Sequence, residues 1–380
     1  MPEPIRAGRS SVAPDVSLGP DVDIEADEVE IGAGARIGHS DADDFRTPPG
    51  VRIRVRRLVL APGVTIGRGV RIDGGEIRLD EGVRILRNST LRVLDTLHIG
   101  AGGTVGEACE ISGREVHIGQ ELWMLPQAKI GGGSALEHGS RLDAGHYLHL
   151  GVHTLINTAR PVRLGHEVGL GTRTSIYTHG AYPSALQGFP VAFDGVEIGD
   201  FSWVPGATIN PGVRIGRNCV IGVNSLVTAD VPDGALAAGS PAKVIREGAY
   251  PRPLDGERRL AFFEAFLADY ARILAVSAAP VRRDASVLLE TDEATYVAGE
   301  VAVEGPRVLR VTDAGEDAPL TTGATRFDIH RRHVDGIADG LSERFANEMR
   351  RHGIRFYSRP RDGIYAAWEA TPPPLETAPG

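Results

Sequence analysis

Histidine is the residue type in this chain with the widest chemical use. The sequence contains 12 histidines, and an imidazole can accept a proton near neutral pH or coordinate a metal ion. His179 opens a long loop, 180–195, that interrupts the regular pattern around it, and loops on a rigid frame often carry function. Five more histidines precede it within a short stretch: His138, His146, His149, His153 and His166. The sequence therefore points to proton transfer or metal binding in this region.

Composition excludes several classes of partner. The formal net charge is −9 and the pI is about 5.8, so the basic surface that binds nucleic acid or anionic membrane is not expected. The two cysteines, Cys109 and Cys219, are too few for a disulfide framework or a zinc cluster and are expected to be small buried residues. The N-terminus has no apolar signal region, and no stretch approaches the length needed to span a bilayer. We therefore expect a soluble cytoplasmic protein without a transmembrane segment.

The elements that must position these residues follow from an internal repeat. An aliphatic residue, often followed by glycine, recurs every six residues from Leu18 to Val227, with interruptions near 39–57 and 180–195. A period of six fits neither a helix nor a continuous strand, but it fits short strands joined by tight turns, three to a coil. A β-sandwich would instead alternate with a period of two. The sequence predicts an all-β solenoid whose aliphatic residues point to the axis of a triangular prism.

These repeats resemble the hexapeptide repeats of left-handed parallel β-helix acyltransferases. The stretch 196–247, VEIGDFSWVPGATINPGVRIGRNCVIGVNSLVTADVPDGALAAGSPAKVIRE, is similar to the last coils of galactoside, maltose and streptogramin acetyltransferases. The resemblance covers 15–247 in repeat pattern and 145–247 in motifs. It implies a left-handed coil, acetyl-CoA or another acyl-CoA as co-substrate, no metal, and a homotrimer with sites between neighbouring prisms.

The resemblance also implies roles for individual residues. His179 would be the general base, and the backbone N–H of Gly206 would face the thioester oxyanion. Spacing departs from the family here, because Val204 and Ile209 are five residues apart and not six. Ala229 stands where the family often has lysine. Coenzyme A would bind through Trp203, Val223, Thr228, Lys243 and Arg246, and the acceptor through Asn157 and Tyr182.

The function that this resemblance implies is O-acetyl transfer to a hydroxyl of a sugar, glycan precursor or glycosylated small molecule. N-acetylation of an amino sugar would use the same base. A γ-class carbonic anhydrase shares the fold and would bind zinc through histidines such as His149, His153 and His166. A non-catalytic trimeric scaffold is the remaining alternative.

The chain is expected to contain more than one domain. Residues 1–14 are predicted to be a flexible N-terminus and 15–248 the β-helix. The long N-terminal part of the β-helix and the C-terminal domain are interpreted as the parts that hold the acceptor, either free or presented on a carrier. Apolar spacing from Leu260 to Leu274 predicts an amphipathic helix in a linker, 249–276. Beyond it we expect a small α/β domain, 277–370, and a disordered tail, 371–380. In the α/β domain, His330 and His333 are interpreted as part of a solvated loop.

Overall fold

The structure, a computed structural model, describes residues 3–39, 50–303, 305, 307–312, 320 and 323–368. The chain forms two compact units, Met1–Pro251 and Arg252–Gly380. The predicted disordered tail, 371–380, lies outside the described residues.

The first unit is a coil in which the chain passes repeatedly through three ladders of parallel strands. Successive strands of a ladder pair directly, which buries aliphatic residues that a single coil would leave exposed. The strands of ladder 1 are Ile5–Val12, Val22–Ile31, Val51–Leu60, Arg71–Leu79, Thr90–Ile99, Glu110–Ile118, Lys129–Ile130, Leu155–Ile156, Ser175–Ile176, Thr208–Ile209 and Leu226–Val227. Those of ladder 2 are Ser17–Leu18, Arg36–His39, Thr65–Gly67, Arg84–Ile85, Thr104–Val105, Trp123–Met124, His149–Leu150, Gly169–Leu170, Trp203–Val204, Val220–Ile221, Leu236–Gly239 and the antiparallel Ala242–Arg246. Those of ladder 3 are Arg141–Ala144, Val162–Leu164, Val196–Ile198 and Arg214–Ile215.

The coil has two parts, which differ in how the chain leaves ladder 1. In the lower coils, 5–118, the ladder 1 strands have eight to ten residues and continue without a break around the corner that separates ladders 1 and 3 in the upper coils. The last of them, Glu110–Ile118, pairs with ladder 1 at its start and with ladder 3 at its end. In the upper coils, 119–246, ladder 1 strands have two residues and the chain turns before ladder 3 begins.

The repeat positions form the core that the sequence predicts. Their aliphatic side chains are almost fully buried, except for the half-buried Leu18 and Leu136. The parallel ladders and this buried core confirm the predicted, mostly parallel β structure of this unit. The left-handed sense of the coil stays a prediction.

Two sequence expectations at the N-terminal end are corrected. Residues 5–12 are not a flexible end, because they form a strand that pairs in register with Val22–Ile31 and packs Ile5 and Ala7 on the core. The interruption predicted near 39–57 is shorter, since Val51–Leu60 is a full ladder strand. Residues 40–49 of that interruption lie outside the described residues.

The second unit is a mixed sheet with two helices on one face. The helices are Gly256–Ile273, capped by the Asp255 carboxylate, and Gly340–Arg351, capped by Asp339. The strands are Val281–Arg283, Ser286–Glu290, Thr295–Ala298, Val308–Thr312, Ala324–Asp328 and His333–Gly336, followed by the hairpin Ser358–Arg361 and Ile364–Ala367. Neither described helix is long and apolar enough to cross a bilayer.

The first helix belongs to the core of the second unit, whereas the sequence assigned it to a linker. Phe263, Leu267 and Tyr270 pack in one cluster with sheet residues and with Phe345 of the other helix. The segment around His330 and His333 matches the predicted solvated loop only in part. It holds the paired strands Ala324–Asp328 and His333–Gly336, joined by a tight turn that leaves His330 exposed.

Candidate active site

The candidate site lies at the corner where the chain leaves ladder 1 in the upper coils. Three segments meet there: 131–140, 157–161 and 177–195. Each follows a two-residue strand of ladder 1, so the rigid ladder fixes where each begins. His179 is the second residue beyond Tyr177, whose N–H still bonds to the next coil.

Asn157 holds the His179 ring. The distance between His179 Nδ1 and Asn157 Oδ1 is 2.9 Å, and a carbonyl oxygen can only accept, so Nδ1 carries the hydrogen. The other ring nitrogen, Nε2, then has a free lone pair and is the atom able to take a proton.

The orientation of the Asn157 amide is fixed by its other partners. Its Oδ1 also accepts from the backbone N–H of Ala159 and from the Thr178 hydroxyl, at 3.3 and 2.6 Å. Its Nδ2 donates to the carbonyl of Gly133 at 3.3 Å. Asn157 is 4% exposed, and buried polar groups are costly unless paired. These bonds place Asn157 where it orients His179, and its contact with the acceptor stays a prediction.

The far end of the 180–195 loop places an aromatic ring against His179. Residues 179–180 and 192–193 pair as antiparallel strands, and Phe193 stacks on His179 with ring centroids 5.7 Å apart. The Arg160 guanidinium also lies over the Phe193 ring, 4.9 Å from its centre. Arg160, Phe193 and His179 are here called the corner stack, in which Phe193 is the ring that packs on the imidazole.

Glycine leaves space beside the free nitrogen. A Cβ at the exposed Gly133 would lie 3.5 Å from His179 Nε2. The sequence reasoning missed Gly133, Phe193 as the stacking ring, and Arg160. The run GGGS at 131–134 was the available signal for close backbone approach.

The rest of the loop is exposed within one chain. Tyr182 and Leu186 are fully exposed, and Phe189 and Val191 are about half exposed. Tyr182 was predicted to bind the acceptor, but its full exposure means that it does not line the His179 site in this chain.

Trp203 and Gly206 lie at a different place from His179. Trp203 is on ladder 2, 48% exposed, with its ring over Gly169, where a Cβ would come within 2.7 Å of it. The five-residue spacing after Val204 is absorbed in the turn, because the flanking strands keep register with the preceding coil. Gly206 takes φ +62° there.

The predicted oxyanion role of Gly206 is corrected. Its N–H donates to the hydroxyl of Thr174, a fully buried residue of the preceding coil, at 2.9 Å. The hydrogen bond points this donor toward the core, so it does not face a ligand on the surface.

The remaining predicted coenzyme A residues are spread over two corners and the end of ladder 2. Val223, 66% exposed, lies beside Gly206 before ladder 1, whereas Thr228 is exposed where ladder 1 ends. Lys243 and Arg246 are exposed on the last, antiparallel strand. Arg246 shares a register column with Trp203 three strands away, about 14 Å at the usual strand spacing.

The other histidines have separate environments. His146 Nδ1 accepts from the backbone of Gln120, and His166 Nδ1 from the backbone of His146, each at 3.0 Å. His149 packs edge-on against Trp123, and His153 is exposed in a turn. Among the described residues no group of three or more histidine, cysteine or acidic side chains converges as metal ligands would.

Sequence comparison finds relatives of the coil region. No protein-family model matches the chain. It is 31% identical over 133 residues to the galactoside O-acetyltransferase of Escherichia coli, covering 34% of this chain and 63% of that protein. It is 35% identical over 132 residues to the galactoside O-acetyltransferase of Lactococcus lactis, covering 34% and 62%. A solved maltose O-acetyltransferase from Clostridium difficile is 24% identical, covering 36% of this chain and 68% of that one, with a TM-score of 0.28.

The chain thus spans less than two thirds of the length of these curated relatives. Their names confirm the resemblance to acetyltransferases that the repeats of this sequence indicate.

Proposed function

We propose that this protein is an acyl-CoA-dependent acyltransferase that moves an acetyl group from acetyl-CoA to a hydroxyl of a sugar-like acceptor. The observation that carries the proposal is the bond between His179 Nδ1 and Asn157 Oδ1, which leaves Nε2 as a base at an open corner. The galactoside O-acetyltransferase relatives support the same reaction class. An amine acceptor would be N-acetylated by the same base.

The reaction needs only proton transfer and a nucleophilic attack. Nε2 takes the proton of the acceptor hydroxyl while its oxygen attacks the thioester carbonyl carbon. Collapse of the tetrahedral intermediate breaks the carbon–sulfur bond, and the leaving thiolate takes the proton back from the imidazolium. Asn157 Oδ1 accepts from Nδ1–H throughout and stabilises the imidazolium while it exists.

Donor binding is proposed for the outer surface of ladder 2 and its last strand. Trp203 and Val223 offer exposed apolar surface, and Lys243 and Arg246 offer cations that suit the phosphates of coenzyme A. Because ladder 1 separates Trp203 from His179 along the coil, one chain does not supply both groups to one groove. This separation supports a homotrimer of left-handed coils, with each site between neighbouring copies.

The proposal is tested by acetyl-CoA binding and by acetyl transfer. Acetyl-CoA should raise the melting temperature of the protein, since a ligand that binds only the folded state stabilises it. Thiol release with a panel of sugars should require His179, and His179→Ala should lower the rate by about 10²–10⁴-fold. His330→Gln, at an exposed position of the second unit, is the matched control and should keep full activity.

Each alternative predicts a different result. A scaffold would bind no acetyl-CoA, and a carbonic anhydrase would contain stoichiometric zinc and hydrate CO₂. Absence of acetyl-CoA binding together with an unaffected His179→Ala variant would overturn the proposal.

A further inference from the structure

Arg160 occupies an unusual position beside the candidate base. Its backbone N–H donates to the Thr178 hydroxyl at 3.1 Å, which ties it to the network that holds Asn157. Its guanidinium lies on Phe193, the ring that stacks on His179. The Arg160 guanidinium and the His179 imidazole thus both pack on the Phe193 ring.

The charge of Arg160 has no acidic partner among the described residues. Its Nη1 donates to the carbonyl of Ala159 at 2.8 Å, and no described carboxylate lies within ion-pair distance. Arginines elsewhere on the coil do have such partners: Arg141 pairs with Glu115 and Arg163 with Glu197, both at 2.7 Å. A half-buried guanidinium without an acid is costly to desolvate.

The glycine beside Arg160 and the geometry of its guanidinium favour binding of an external anion. Gly139 lies against the Arg160 side chain, and a Cβ there would come within 3.4 Å of Nη1. The planar guanidinium has five N–H donors, of which the Ala159 carbonyl uses one. The remaining donors can form the paired hydrogen bonds that carboxylate and phosphate oxygens accept.

We infer that Arg160 forms an anion-binding subsite next to His179, which selects acceptors bearing a carboxylate or phosphate group. This inference rests on the proposed acetyl transfer and names the class of its substrate. The group being acetylated is a hydroxyl near His179 Nε2, and the anionic group of the same molecule binds Arg160. Arg160 is therefore a specificity residue and takes no part in the proton transfer.

Matched acceptors test this assignment in the full-length protein. Thiol release from acetyl-CoA is measured with p-nitrophenyl β-D-glucuronide, p-nitrophenyl β-D-glucoside and glucose 6-phosphate. The wild type should prefer one of the two anionic acceptors over the neutral glucoside. Arg160→Gln should lower kcat/KM for that acceptor by about 10–100-fold, mainly through KM, and change the glucoside rate by less than about threefold. Arg160→Lys, which keeps the charge but loses the fork, should be intermediate. The better of the two anionic acceptors identifies carboxylate or phosphate as the preferred group.

A purely structural role for Arg160 predicts a different pattern. If the guanidinium only clamps Phe193, Arg160→Gln will reduce all acceptors equally through kcat, and that result overturns the inference. So does a wild type without preference for either anion. Melting temperatures of the variants show whether they fold.

Binding without turnover separates this inference from the proposed function. Calorimetric titration of His179→Ala with glucuronate, with glucose 6-phosphate and with glucose needs no transfer to occur. Binding of glucuronate or of glucose 6-phosphate that Arg160→Gln removes supports the subsite even if acetyl transfer is never found. Equal binding of the neutral and anionic sugars overturns it while leaving the acetyltransferase proposal intact.

Discussion

The lower and upper coils share one kind of core but differ at the corner beyond ladder 1. In the lower coils the chain rounds this corner within single strands, and surface charges pair between neighbouring strands, as Arg57 does with Glu28 and Glu76. In the upper coils the ladder 1 strands end before this corner, and hydrogen bonds of side chains such as Asn157 replace the backbone pairing. The candidate site thus lies where the long strands are replaced by short ones. The segments that follow the short strands bring side chains and a loop together at this corner.

Glycines at this corner provide the strongest test of that difference. In the lower coils, a Cβ at Gly74 would lie 1.9 Å from the carbonyl oxygen of Val93. In the upper coils, a Cβ at Gly133 would meet only the His179 ring, at 3.5 Å. Gly133→Val should therefore lower acetyl transfer by about 100-fold or more by filling the space at Nε2, with little change in melting temperature.

Gly74→Val should give the reverse result. The clash with Val93 should cost roughly 2 kcal/mol or more of the free energy of unfolding, while activity per folded molecule stays unchanged. Thermal unfolding and thiol release on the same samples check both variants. Equal effects of the two substitutions on activity would contradict the division between lower and upper coils.

Asn157 gives the next largest effect. Asn157→Leu keeps the approximate volume but removes the acceptor for His179 Nδ1–H, so the imidazole loses its fixed tautomer. We expect kcat to fall about 10–100-fold with KM nearly unchanged. Asn157→Asp keeps an accepting oxygen and should recover part of the rate.

A pH profile of kcat distinguishes positioning from general damage. An aspartate beside the ring should move the profile of Asn157→Asp toward higher pH, since a negative charge favours the imidazolium. If Asn157→Leu instead raises KM for the acceptor and leaves kcat intact, the original sequence prediction of acceptor binding is the better one.

The sequence predicts what depends on periodicity and misses what depends on contacts between coils. Aliphatic spacing is enough to indicate the ladders and their core, because each inward position repeats. It does not reveal that Ile5–Val12 extends ladder 1, since that edge strand is mostly exposed and polar. Aliphatic spacing also does not predict that the Gly206 N–H donates to the Thr174 hydroxyl, because the two residues are 32 positions apart.

The site was predicted unevenly for the same reason. His179 stands out through the loop that it opens and through the family resemblance. Phe193 and Arg160 come together only through pairing of the loop ends and the bond of Arg160 to Thr178. No local pattern in the sequence encodes that arrangement.

The smallest expected effect concerns a charge in the lower coils, where titration should alter stability and leave catalysis unchanged. The Asp80 carboxylate accepts from Arg78 Nε at 2.9 Å and from His98 Nε2 at 2.8 Å. Burial raises the pKa of this carboxyl, but the bonds from His98 and Arg78 outweigh it and hold the pKa below its ordinary value. A carboxyl with a lowered pKa stabilises the fold above its unfolded pKa, and the stabilisation is lost as pH falls through the folded value. Asp80→Asn should therefore cost about 1 kcal/mol of the free energy of unfolding at pH 7.

The difference between wild type and Asp80→Asn should shrink as pH falls below about 4, where the wild-type carboxylate also becomes protonated. Urea unfolding and hydrogen exchange over residues 71–99 measure it, with Asp73→Asn, on the exposed face of the same region, as the matched control. Acetyl transfer per folded molecule should be unchanged at every pH, because the lower coils contribute no group to the proposed chemistry. A loss of kcat in Asp80→Asn without loss of stability would show that the lower coils act on the site, and the contrast between the two parts of the coil would then fail.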